Sequence, residues 1–93
     1  MANLKEIAEN IKKNKLDKAL NLCDLCEDIN NQHIISNFRG VIYLIKENLE
    51  LSEKNFLKSL KINPKFEDAI KNLYLVYLKK KLFKDLLIYA KKL

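Results

Sequence analysis

The 93-residue chain has a single glycine, Gly40, and a single proline, Pro64. Sheets and tight turns draw on both residue types and long helices need neither, so the shortage argues against a β-rich fold. Long apolar runs are also missing. The longest, Leu73-Tyr74-Leu75-Val76-Tyr77-Leu78, falls far short of the ~20 residues that cross a bilayer. No apolar signal core follows Met1, and the first turns are charged and amphipathic, so a cytoplasmic location is expected. Cysteine is scarce: Cys23 and Cys26 are the only two, and in a reducing compartment such a pair stays as free thiols.

Those cysteines are spaced C-x-x-C, but a structural zinc site needs four ligands and only His33, the single histidine, lies nearby. A redox pair would want a strand before it and a helix N-terminus beneath it. Both thiols instead fall on an apolar helical stripe, so they are expected inside a helix as small buried packing residues. His33 is expected exposed at a helix start. No nucleophile–base pair, Gly-rich phosphate loop or pair of carboxylates in an apolar setting can be assembled. The expectation is therefore of no enzyme, no cofactor and no metal.

The charge that is present is unevenly placed. Residues 1–57 sum to −1 and residues 58–93 to +7, for +6 in all. This asymmetry leaves two readings open, a solvated Lys-rich face or a surface for an acidic or anionic partner. Tyr74, Tyr77 and Tyr89 beside Lys79, Lys80 and Lys81 could stack on bases and hold phosphates. Aromatics at helical spacing more often belong to a core, so nucleic acid is not the expected partner.

Apolar spacing marks out six helices. Leu4, Ile7, Ala8 and Ile11 form one stripe, and Asn14-Lys15 breaks it. Leu16, Ala19, Leu20, Cys23 and Cys26 form the second, ending near Asn30-Asn31, a turn and N-cap. From Gln32 to Glu47 apolar residues wrap most of the way round, which predicts a middle helix buried on nearly all sides. The fourth helix carries Leu49, Ser52, Phe56, Ser59 and Leu60, and Asn63-Pro64 stops it. A fifth starts near Phe66 or Glu67, and a sixth, after Lys81, holds Phe83, Leu86, Leu87, Ala90 and Leu93. Short connections make neighbours antiparallel, within one domain.

The pattern repeats. Gly40, Tyr43, Leu49, Ser52, Phe56, Ser59 and Asn63-Pro64 define one unit. Sliding this unit forward until Tyr43 falls on Tyr77 also brings Leu49 onto Phe83. Sliding it back until Leu49 falls on Leu16 brings Ser52, Phe56 and Ser59 onto Ala19, Cys23 and Cys26. Two closely crossing helices need a small residue where their backbones meet, a role Gly40 and Ser52 fit in the second unit and Ala19 in the first. Tyr43, Phe56 and Phe83 are expected to fill the wedge between layers. In the third unit Tyr74 stands at the Gly40 position and Leu86 at the Ser52 position, which should widen or shift its contacts.

This arrangement resembles the tetratricopeptide repeat, a helix–turn–helix unit of about 34 residues. The resemblance covers nearly the whole chain as repeats of about 1–31, 32–64 and 65–93. It implies an all-α fold, a right-handed α-solenoid of three antiparallel helical hairpins acting as a protein-binding scaffold. In such proteins the first helix of each hairpin lines a concave groove. By resemblance, the lining here would be Leu4, Ala8, Ile11 and Lys12, then Ile34, Asn37, Val41, Leu44 and Ile45, then Lys71, Leu75, Leu78 and Lys79. The Lys, Arg and Asn set with which some members grip a C-terminal carboxylate is missing: Leu4, Ala8, Asp68 and Asn72 occupy its positions. An apolar groove with basic residues at one end suits an amphipathic helix, or an apolar segment with acidic flanks. The alternative is a basic peripheral module that docks on anionic membrane or nucleic acid through the Lys-rich C-terminal part. Repeat arrays also need a polar capping helix. The last helix is apolar instead, which leaves three explanations open: self-association, a partner that supplies the missing helix, or a chain cut from a longer array. Of these, a homodimer through the last hairpin, by Leu82, Leu86, Leu87 and Leu93, is preferred.

Overall fold

The computed structural model describes residues 2–92, which form five α-helices and one short 3-10 turn, with no strand among them. Asn3 opens α1 (Leu4–Lys12) by accepting a hydrogen bond from the Glu6 amide at 2.9 Å, satisfying a donor that the helix itself cannot. Helix α1 ends in the way its sequence predicts. Asn14 takes a left-handed conformation, with φ of 60°. Its amide then reaches the Ile11 carbonyl, and the Lys15 amide reaches that of Asn10, the paired closure of a Schellman turn. Helix α2 (Leu16–Leu25) follows at once.

The same turn recurs one repeat later. Between α3 (Gln32–Ile45) and α4 (Leu49–Ile62), Glu47 has φ of 61°, and the amides of Glu47 and Asn48 reach the carbonyls of Leu44 and Tyr43. The Asn48 side chain then caps α4 by accepting from the Leu51 amide. Two helical hairpins with one turn geometry are thus laid down at the spacing read from the sequence. Between them lies the 3-10 turn Ile29–Asn31. Asn31 does precede α3, but its side chain bonds Asp28 rather than capping the helix.

Helix α3 is the middle layer, touching α1, α2, α4 and α5. That explains its apolar wrapping: Ile35 and Ile42 join Ile7, Ala19, Cys23 and Cys26 in a core between the first hairpin and α3. Helix α4 meets α3 through small residues. The Ser52 hydroxyl donates to the Gly40 carbonyl at 2.8 Å, and two turns further along α4, Ser59 donates to the His33 carbonyl at 2.7 Å. A Cβ at Gly40 would lie 2.4 Å from the Phe56 ring, which is fully buried. Gly40 and Ser52 therefore face each other across this crossing as expected. Exposed ion pairs, Arg39–Asp24 and Lys46–Asp17, join α3 to α2, each contributing at most about 1 kcal/mol.

The largest departure from expectation lies at the C-terminal end. After Pro64 the chain turns once and enters α5, which runs unbroken from Glu67 to Lys92. The predicted break after Lys81 is absent, so the described residues contain no sixth helix and no third hairpin. Lys79-Lys80-Lys81-Leu82 contains only good helix formers, and nothing there takes a left-handed conformation as Asn14 and Glu47 do. Ala69 and Val76 bury one face of α5, Lys80 binds Glu50 and Glu53 at the start of α4, and all residues from 81 to 91 are exposed. Phe83, expected in a wedge between layers, is exposed, and Tyr43 is only half-buried. Helix α5 overshoots α4, and the described chain measures 53 × 28 × 16 Å.

Gly40→Ala should lower stability by up to about 2 kcal/mol in urea unfolding, because overpacking costs ~1–3 kcal/mol and the gain in helix propensity of ~1 kcal/mol recovers part of it. Combined with Phe56→Leu the loss should be less than additive; strict additivity would mean the two residues do not compete for space. Glu47→Gly should raise stability by about 0.5–1 kcal/mol by relieving the left-handed conformation, read as a higher thermal midpoint.

Candidate binding surface

The groove residues inferred from the repeat do not all remain available. Leu4 and Ile11 are half-buried and pack on the core of the first hairpin. Asn37 is buried, and its side-chain oxygen accepts a hydrogen bond from Asn72 Nδ2 at 3.1 Å, tying α3 to α5. It is a structural link, its side-chain oxygen committed to α5. Ile34, Val41 and Leu44 are half-buried, while Ala8, Ile45, Lys71, Leu75, Leu78 and Lys79 are exposed. Lys12 is exposed as well. The open apolar part of the expected lining thus gathers toward the end of α3 and the middle of α5. Val41 and Leu44 stand 34 residues before Leu75 and Leu78; the first pair is half-buried on α3 and the second exposed on α5.

Because α5 does not break, these leucines belong to something longer. At 100° per residue, Leu75, Leu78, Leu82, Leu86 and Tyr89 fall within an arc of about 80° on one side of the helix. They are 47%, 45%, 63%, 57% and 65% exposed. The stripe lies about 130° around the helix from Ala69 and Val76, which pack inward. The expected turn at Lys81 would divide this stripe, with Leu75 and Leu78 in the groove and Leu82 and Leu86 in a hairpin; the unbroken helix joins them. The spacing by threes and fours across Lys79-Lys80-Lys81 was the signal that the segment is one helix. Ile70, Tyr74 and Tyr77 form a second exposed apolar patch on α5. Leu87 is also exposed, and Leu93 lies outside the described residues.

Electrostatics sharpen the surface. Lys80 is occupied by Glu53 at 2.7 Å and Glu50 at 2.9 Å, and these hydrogen bonds, Glu53's first, push its ammonium above its ordinary range. Lys71, Lys79, Lys81 and Lys84 stay exposed along the same helix. Elsewhere, two depressions of about 380 and 390 Å³ open on α4, beside Glu50, Leu51 and Leu57, and near Ala2 and Cys26. Neither coincides with the stripe.

Cys23 and Cys26 are both buried and free, though Cys26 caps the end of α2 rather than lying within it. Among the described residues no three His, Cys, Asp or Glu side chains converge as metal ligands do. His33 is half-buried, its ring edge-on to Phe66 at 4.9 Å, instead of exposed. Burial pushes the Cys23 thiol from 9.0 up to about 11. The folded thiol therefore keeps its proton where an unfolded one ionises. This contribution to stability is intact below pH 9.0 and is lost as the pH climbs toward about 11. At a mildly alkaline pH, native Cys23 should react with iodoacetamide about a hundredfold more slowly than in urea-unfolded chain; equal rates would show that the thiol is not shielded.

Compared with family models, curated proteins and solved structures, the chain matches none.

Proposed function

We propose that this chain is a small scaffold of tetratricopeptide-repeat type that binds a helix or extended apolar segment of another protein, rather than a catalyst. Its two closed hairpins are the first two repeats, and α5 supplies the first helix of a third layer in a right-handed solenoid. The recurrence of one turn at Asn14 and Glu47, together with the Gly40–Ser52 crossing, supports the architecture. The observation that carries the function is the row of exposed apolar side chains on α5, with Ile45 exposed and Val41 and Leu44 half-buried on α3. A contiguous apolar surface on a small chain marks a contact site.

Magnitudes limit the affinity. Burying three or four of Val41, Leu44, Leu75 and Leu78 contributes ~1.5–3 kcal/mol each, against an association cost of ~4–15 kcal/mol. Binding is therefore weak to moderate unless more of α5 takes part. Flanking lysines favour a partner with acidic residues beside its apolar stripe. The exposed lysines of α5 favour a second reading, docking on an anionic membrane or nucleic acid.

Capture of a protein from an extract of its own cells should survive about 0.5 M salt and fall about tenfold or more in Leu44→Glu/Leu75→Glu, with circular dichroism unchanged. Binding that vanishes with salt but ignores the double substitution would favour the anionic surface instead.

A further inference from the structure

Beyond Lys80, every residue of α5 as far as Lys91 is exposed, and its apolar stripe is left uncovered among the described residues. We propose that this helix is α5 of a second copy, running antiparallel, with Leu82 on the two-fold axis. The inference rests on the reading that this face of α5 binds a helix, and names the occupant.

The spacing of the stripe carries the argument. Leu75, Leu78, Leu82, Leu86 and Tyr89 are separated by steps of three, four, four and three, the same in either direction. Laid antiparallel on its copy, the row places Leu75 against Tyr89, Leu78 against Leu86 and Leu82 against itself. A two-fold interface requires this self-complementarity, and steps of three and four keep the seam facing its partner along two helices.

Charge selects the direction. A parallel pair would set Lys79-Lys80-Lys81 beside the same three residues of the copy. The antiparallel pair sets them beside Phe83, Lys84 and Asp85. Lys81 and Asp85 lie on the same flank of the stripe, and like flanks meet in an antiparallel pair. Asp85 of each copy then comes beside Lys81 of the other, twice by symmetry, which offsets the single Lys81–Lys81 approach at the axis; a parallel pair would have three such lysine pairs and no offset. Helix α5 still carries seven lysines against three acidic residues, so the copies repel overall and the dimer tightens as salt rises. Docking on an anionic surface has the opposite dependence.

Size sets the strength. Five half-exposed side chains bury roughly 100 Å² each, about 1,000 Å² for the pair, the lower limit for a specific interface. The dimer is therefore a weak one, with dissociation in the micromolar range.

The test is light scattering on the full chain from about 5 to 500 µM, a span chosen around that range. The mass should rise from 11.0 kDa toward twice that value. Leu82→Glu, at an exposed position, should weaken association about thirtyfold or more with helicity intact. Under mild oxidation Leu82→Cys should cross-link to itself, Leu75→Cys alone should not, and a mixture of Leu75→Cys and Tyr89→Cys should; the buried native thiols stay out of the reaction. A fully helical monomer at every concentration overturns the proposal, as does a dimer that survives Leu82→Glu or fails to cross-link through Leu82→Cys. If the chain stays monomeric while Leu44→Glu/Leu75→Glu still abolishes capture of another protein, the binding face stands and only the occupant is wrong. If neither behaviour appears, both fall.

Discussion

The closeness of α3 and α4 is the constraint on which the rest of the structure depends. Gly40 lets the Phe56 ring lie where a Cβ would have to be, and Ser52 commits its hydroxyl to the Gly40 carbonyl at that same point. The phenyl ring is fully buried as a result, and α3 is left with its other sides free to receive α1, α2 and α5. Every layer is positioned from this central helix. The core of the first hairpin reaches α3 through Ile35 and Ile42, and α5 is tied to it through the Asn37–Asn72 amide pair.

The parts legible in the sequence were those decided locally. Asn14 and Asn63-Pro64 stop helices by backbone chemistry, and apolar periodicity places the helices between them. The small–large alternation of Gly40, Ser52 and Phe56 is a statement about two backbones at close range, readable before any coordinates. Glu47 was harder, because a carboxylate side chain gives no hint of a left-handed backbone; only its place one repeat after Asn14 does. Asn37 looked like a polar groove residue because its partner, Asn72, lies far along the chain on another layer. His33 looked exposed for the same reason, its neighbour Phe66 being equally remote in sequence.

The third unit departs from the first two because the repeat spacing continues past the point where its chemistry holds. Tyr74 at the Gly40 position and Leu86 at the Ser52 position cannot bring two backbones together as the smaller pair does. The linking segment also lacks any residue disposed to reverse the chain. Both facts were in the sequence, but they register as a continuous helix only when weighed above the beat of the repeat. Ion pairing reinforces the outcome, since Lys80, at the expected turn, is held on α4 by Glu50 and Glu53. What the sequence presents as two short amphipathic helices is one long rod, and its outer stripe appears only when the two halves are joined.

The hydroxyls of Ser52 and Ser59 have a mechanical consequence. They sit two turns apart on α4 and grip carbonyls two turns apart on α3. Sliding one helix past the other would strand both groups in the interior at once, with no water to replace the lost bonds. This hairpin therefore behaves as a bolted plate with no freedom to shear. Helix α5 is moored to that plate along its first half, by the Asn37–Asn72 bond and by Lys80 on Glu50 and Glu53, so its outer stripe is held out from a face that keeps its shape.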